Sequence, residues 1–174
     1  MIKGNISNHI GWHNVILFNG LNGFVESVHL VPFEEFSSQK TNQDMILDQA
    51  RKWMGRPYLW GGTSPRAMDC SGYTKMIYHQ FGYSLPRDAS QQVRLGDTVS
   101  TDADLPGVLP GDFLFFGNKG QDGANDKITH VALYLGKGRI IHSTGQVKIE
   151  SLRKDDPDFA PDRYKTFILS LIKI

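Results

Sequence analysis

The spacing of hydrophobic positions changes several times along the chain. Val15-Ile16-Leu17-Phe18 and Gly23-Phe24-Val25-Glu26-Ser27 are short apolar runs flanking Asn19-Gly20-Leu21-Asn22. An Asn-Gly step between such runs predicts a β-hairpin. Residues 1–36 then hold two or three short strands, too few to bury a core alone. The polar stretch 37–41 reads as a linker. From Gln43 the period becomes helical. Met45, Ile46, Ala50, Trp53 and Met54 share one stripe, Thr41 or Asn42 is placed to cap it, and Gly55-Arg56-Pro57 ends it. The segment 58–69 is rich in Gly, Ser and Pro and reads as irregular. A second helix is expected from Cys70 or Ser71 to Phe81, with Met76, Ile77 and Phe81 on its apolar face and Gly82 just past its end.

Strands dominate the second half. Residues 94–110 read as a long loop. Phe113-Leu114-Phe115-Phe116 is a continuous apolar run, the mark of a buried strand. Gly117 to Lys127 is polar and Gly-rich, a loop. Strands are expected at Thr129 to Leu135, Arg139 to Ser143, Val147 to Leu152 and Thr166 to Ile172. Helices followed by a run of mostly antiparallel strands is the α+β pattern, with the N-terminal helices packed on the sheet. The domain plan is a short β extension over 1–36, a linker over 37–41 and one main domain over 42–174. No internal repeat is visible.

Composition narrows the function classes. The 174 residues are 40% hydrophobic and 21% charged, which fits one ordinary domain with a small appendage and a core that needs no disulfides. Nineteen basic residues stand against 18 acidic ones, a net charge of +1. With no basic stripe interleaved with aromatics, nucleic acid is not an expected partner. No apolar run approaches the roughly 20 residues of a membrane span. Met1-Ile2-Lys3-Gly4-Asn5 lacks an apolar export core, so no leader is read in this chain. Cys70 is the single cysteine, and its count alone does not separate cytosol from envelope.

Cys70 is also the candidate nucleophile. It lies in Asp69-Cys70-Ser71-Gly72, at an expected helix start, where backbone amides favour a thiolate. A lone cysteine is most often a small buried hydrophobe. Flanking glycines and two later histidines, His130 and His142, change that reading. A thiol with a strand-borne imidazole is the arrangement of nucleophilic thiol catalysis. Asp69 opposes a thiolate, so it is expected to meet a cationic group on the substrate. His130 and His142 flank the turn at Lys137. A three-residue loop pairs Leu135 with Arg139 and Ala132 with His142, placing both histidines on one face as diagonal neighbours. A two-residue loop pairs Gly136 with Arg139 and sends them to opposite faces. Zinc sites usually show close pairs such as Cys-x-x-Cys, which this constellation lacks, so neither metal nor cofactor is expected. His9, His13, His29 and His79 read as surface or structural.

Six ordered stretches resemble the motifs of the NlpC/P60 cysteine peptidases. They are Tyr58-Leu59-Trp60-Gly61-Gly62, Asp69-Cys70-Ser71-Gly72, Leu85-Pro86-Arg87-Asp88-Ala89-Ser90-Gln91, Leu109 to Phe116, Thr129 to Gly136 and Ile140-Ile141-His142-Ser143. The resemblance covers about residues 42–174. Its one small departure is Ala132, where the family often has Gly. It implies a papain-like fold and hydrolysis of cell-wall peptides, typically between D-γ-glutamate and a diamino acid of the stem peptide. It further implies that Cys70 is the nucleophile, His130 the base and His142 the orienting third residue. Tyr58 is implied to stand beside the nucleophile, aiding the oxyanion or the substrate, with Asp69, Ser71, Arg87 and Ser90 along the substrate groove. Trp12 to Phe36 resembles the end of a bacterial SH3-like domain, which precedes the catalytic domain in members that act on stem peptides with a free N-terminal L-Ala. This chain would then be a fragment or have a mis-set start. The expected partner is a stem peptide or murein fragment. The expected location is the bacterial envelope if a leader is missing, or otherwise the cytoplasm, in murein recycling. Amidase or acyltransferase chemistry on the same fold is the alternative, as is a non-catalytic wall-binding module.

Overall fold

Phe113-Leu114-Phe115-Phe116 is apolar at every position because its strand is covered on both faces. Phe113 and Phe115 point into one core with Val131, Leu133 and Ile141, while Leu114 and Phe116 point into a second with Ala132, Tyr134 and Ile140. The computed structural model describes residues 3–5, 10–17, 19–38, 42–102, 104–120 and 126–171. Of the sequence expectations, those on His9, Phe18, residues 39–41 (with Thr41 as a cap), 121–125 and Ile172 lie outside the described residues. The chain divides into two units, Met1–Lys40 and Thr41–Ile174.

The first unit is a three-stranded antiparallel sheet of β1 (Lys3–Asn5), β2 (Trp12–Ile16) and β3 (Asn22–Glu26). The β2–β3 hairpin turns through Gly20, whose φ of 82° suits glycine. A 3₁₀ turn, Ser27–His29, and a short helix α1 (Phe33–Ser38) follow. The sequence reading placed no helix here, and it assigned Ser37 and Ser38 to a linker.

The second unit opens with α2 (Gln43–Arg51). Asn42 caps it, with Oδ1 accepting from the Met45 amide at 2.9 Å. Its buried face is Ile46, Leu47 and Ala50, continued by Trp53 in the following turn. Met45 and Met54 are exposed, so the stripe is narrower than the sequence reading has it. The segment 58–69 is largely irregular, with one small ribbon of β4 (Thr63–Ser64) and β5 (Ala67–Met68). Helix α3 (Cys70–His79) follows, and Gly82 lies past its end at φ 85°. A one-turn helix α4 (Ala89–Gln92) comes next, and β6 (Thr98–Ser100) falls in what the sequence reads as a loop. The remaining elements are β7 (Phe113–Asn118), β8 (Lys127–Gly136), β9 (Arg139–Thr144), β10 (Gln146–Ser151), α5 (Pro161–Lys165) and β11 (Phe167–Leu171). The sheet has six strands in the order β10-β9-β8-β7-β11-β6, and every pair is antiparallel. Helices α2 and α3 pack on one face through Ile46, Leu47, Tyr73 and Ile77. The fold is α+β and papain-like.

Candidate active site

The register of β8 and β9 determines where the two histidines point. Gly136 pairs with Arg139, the two-residue turn that should separate them. Tyr134 nevertheless pairs with Ile140 and Leu133 with Ile141, so Leu135 is an extra residue in β8. This bulge restores the parity, and both histidines lie on one face. A second bulge follows at Thr129, since Phe116 pairs with His130 but Gly117 with Ile128. His130 Nε2 lies 2.7 Å from His142 Nδ1, with the rings nearly perpendicular. His142 is fully buried and His130 is 5% exposed. On its other side His142 Nε2 lies 2.8 Å from Glu150 Oε2, on β10.

Cys70 is the first residue of α3 and is 8% exposed. Asp69 precedes it as N-cap, its Oδ1 accepting from the Gly72 amide at 2.7 Å. The amide of Val131, the residue after His130, is close enough to favour the ionised form of the thiol, so Cys70 faces the strand that carries His130. Ser143 Oγ donates to the Met68 carbonyl at 2.8 Å, tying the approach to Cys70 to β9. Tyr58 is held there too, its amide donating to the Gly145 carbonyl at 2.9 Å.

Electrostatics favour the neutral forms of Cys70 and His130. Burial pushes the Cys70 thiol up and Asp69 adds to the rise, while the Val131 and Ser71 amides and Arg163 pull it down without prevailing. The amides at the helix start act as the sequence reading expects, but desolvation outweighs them. Burial holds His130 well below the usual histidine value, with His142 and Arg163 adding to the effect. Burial also lowers His142, against the opposing pull of Glu150. Burial and the neighbouring Cys70 raise the Tyr58 hydroxyl.

Tyr58, Asp69, Cys70, Ser71, Arg87 and Ser90 all line one cleft of about 800 Å³. His130 and His142 are buried in the sheet and do not line this cleft. Asp69 meets its cation inside the protein: Arg87 Nη1 donates to Oδ1 at 3.1 Å and Nη2 to Oδ2 at 2.5 Å. Arg87 Nη1 also donates to Ser71 Oγ at 3.1 Å, and the Gly61 amide donates to Asp69 Oδ2 at 3.0 Å. Burial raises the Asp69 carboxyl, but Arg87 and the Gly72 and Gly61 amides outweigh it and leave it lowered. The segment bearing Arg87 and Ser90 is fastened to α3 by buried Gln92, whose Nε2 donates to the Ser71 and Pro86 carbonyls at 3.1 and 3.0 Å. Among the described residues, no group of three or more His, Cys, Asp or Glu side chains is placed to hold a metal ion. The arrangement offers a thiol, a neutral imidazole with an acceptor on its far side, and a walled cleft, which are the parts of acyl transfer through sulfur.

A profile described as the NlpC/P60 family matches residues 55–158. The chain belongs to the NlpC/P60 family. It is 40% identical over 120 residues to a gamma-D-glutamyl-L-lysine dipeptidyl-peptidase of Bacillus subtilis, covering 69% of this chain and 37% of the relative. It therefore spans well under half of that protein. The structure resembles an NlpC/P60 family protein from Bacillus cereus, with a TM-score of 0.65 and 28% identity over 96% of this chain and 52% of that one. It also resembles the NlpC/p60 domain of the peptidoglycan hydrolase SagA, with a TM-score of 0.61 and 28% identity over 76% of this chain and all of that one.

Several residues of this NlpC/P60 domain's site escape sequence reasoning. Trp60 is 84% exposed on the cleft wall, and Asp88 lines the cleft at the N-cap of α4. Arg163, on α5, stands near enough to bear on Cys70 and both histidines. Glu150 is the carboxylate behind His142. The strand it belongs to is expected from sequence, and a tight turn at Gly145 would have set Lys148 opposite His142, with Glu150 one pair further along the same face.

Proposed function

We propose that this chain is a cysteine endopeptidase that hydrolyses the D-γ-glutamyl–diamino acid bond of peptidoglycan stem peptides. The observation that carries the reading is Cys70 at the N-terminus of α3 on the wall of the cleft, with the His130–His142 pair on the strand whose Val131 amide acts on its thiol. Family membership and the name of the Bacillus subtilis relative support the wall-peptide substrate. In this reading Cys70 Sγ attacks the γ-glutamyl carbonyl while His130 takes the thiol proton. His130 then returns that proton to the leaving amine, and water releases the acyl group. His142 orients His130. The Cys70 amide and Tyr58 stabilise the oxyanion. The substrate's place is the cell wall or the peptides released from it.

A free N-terminal L-Ala is preferred in this reading, with one change of residue. Asp69 is held by Arg87 at 2.5 Å, whereas Asp88 meets the same guanidinium only at 4.0 Å and its side chain is 62% exposed, so Asp88 is the carboxylate open to an ammonium. Asp69, Ser71 and Arg87 then act as one hydrogen-bonded wall, with Ser90 beside Asp88. The three antiparallel strands of the first unit and their Asn-Gly turn support reading it as the end of an SH3-like domain.

The test is incubation with L-Ala-γ-D-Glu-diamino acid peptides, free or N-acetylated, read by mass spectrometry. Cleavage between γ-D-Glu and the diamino acid is expected, with KM raised for the acetylated peptide in wild type and little affected by acetylation in Asp88→Asn. Asn caps α4 as well as Asp, so that variant isolates the charge. No cleavage at that bond would overturn the reading.

A further inference from the structure

We propose that Glu150 is a positioning residue for His130, acting through His142 by fixing which nitrogen of each ring carries its proton. The proposal rests on the assignment of Cys70 and His130 made above. His142 is fully buried, and each of its ring nitrogens has a partner: His130 Nε2 at 2.7 Å and Glu150 Oε2 at 2.8 Å. An ionised carboxylate only accepts. His142 Nε2 therefore carries the proton and donates to Glu150. In a neutral ring, His142 Nδ1 is then the acceptor. His130 Nε2 must donate to it, which leaves the lone pair of His130 on Nδ1. That is the one nitrogen of His130 not engaged by His142, and it is where a base for the Cys70 proton needs its lone pair.

Glu150 is built to hold that state. Its two oxygens have separate partners, since Oε1 takes Lys148 Nζ at 2.5 Å while Oε2 takes His142. The β9–β10 register places Lys148 opposite His142 and Glu150 opposite Ile140, so both reach the histidine face from one strand. The hydrogen bond from His142 comes first among the effects that keep Glu150 ionised, its carboxyl drawn down to about 2. The charged groups around His142 are Glu150 and Lys148 on β10 and Arg163 on α5, with His130 beside it on β8. Lys148 and Arg163 oppose protonation of the ring, and Glu150 favours it. During acylation the Cys70 S–H bond breaks, its proton moves to His130 Nδ1 and sulfur bonds the carbonyl carbon. The imidazolium formed leans on His142 and, through it, on Glu150. The proton then leaves with the amine.

Glu150→Gln removes the charge and lets an amide N–H face His142 Nε2, which reverses both rings. The expected loss in kcat on the stem peptide is about 10²-fold, between that of losing a ligand's supporting partner and that of a wrong histidine tautomer. KM should stay within about twofold. Glu150→Asp keeps an acceptor-only group and should recover part of the rate. The independent readout is the ¹⁵N spectrum of the ring nitrogens near neutral pH. Wild type should show protons on Nε2 of both rings, and Glu150→Gln should show Nδ1–H on one or both. A wild-type spectrum with Nδ1–H on either ring overturns the proposal, as does a Glu150→Gln protein with unchanged kcat. Cys70→Ala separates the two failures: undiminished turnover in that variant would sink the catalytic reading, while the ring spectra would still report on Glu150.

Discussion

At Cys70 the helix start and the buried setting act against each other. The Ser71 and Val131 amides favour a thiolate, burial and Asp69 oppose it, and the thiol ends above its ordinary value. His130 ends below its own. Both groups are thus neutral at rest, and in the proposed mechanism thiolate forms when His130 takes the proton. Inactivation by iodoacetamide should consequently keep accelerating above pH ~8.5, the ordinary value for a free thiol. A rate that levels off below pH 7 would show a preformed thiolate–imidazolium pair. Asp69 is the second informative residue. Its two oxygens accept from the Gly72 and Gly61 amides and from Arg87, so the acid beside Cys70 serves as helix cap and wall anchor.

At the scale of elements, the position of α3 depends on a close backbone approach. A Cβ on Gly72 would lie 2.1 Å from the Gly62 carbonyl oxygen. That atom is backbone and has no rotamer to move into, so α3 or the 58–62 segment would have to shift. Gly72→Ala is expected to cost about 1–3 kcal/mol, as overpacked interiors do. A urea transition with an unchanged midpoint would contradict this packing. α3 was legible from sequence because its signals are local: an apolar face and Gly82 past the end. The histidine hairpin was legible only in part. Turn length alone points to opposite faces, and the bulge at Leu135 that reverses the answer has no sequence mark of its own. Helices α1, α4 and α5 are too short to show a period. Glu150 escaped as a partner because finding it takes the β9–β10 register set by the turn at Gly145, not only spacing along the chain.

Across the whole molecule, the same burial that sets the site's protonation also sets its acid sensitivity. His130 and His142 have lowered values, so the stability they contribute is full above the ordinary histidine range and is lost as pH falls through it. Asp69 and Glu150 are lowered carboxyls, so theirs is full above the ordinary carboxylate range and is lost further down, for Glu150 towards about 2. All four act in one direction. Thermal melts at fixed ionic strength should show Tm flat between about pH 7 and 8, falling from about pH 6.5 and falling again below about pH 4.5. A Tm maximum near pH 5 would contradict this account.

The central claim is that Cys70 is the residue acylated. The most direct measurement is an acid-quenched reaction of the wild-type chain with L-Ala-γ-D-Glu-diamino acid peptide, digested and mapped by mass spectrometry. The account predicts that the fragment bearing Cys70 gains the L-Ala-γ-D-Glu acyl group, and that Cys70→Ala shows neither adduct nor turnover. An adduct on another residue, or cleavage by Cys70→Ala at the wild-type rate, would contradict it.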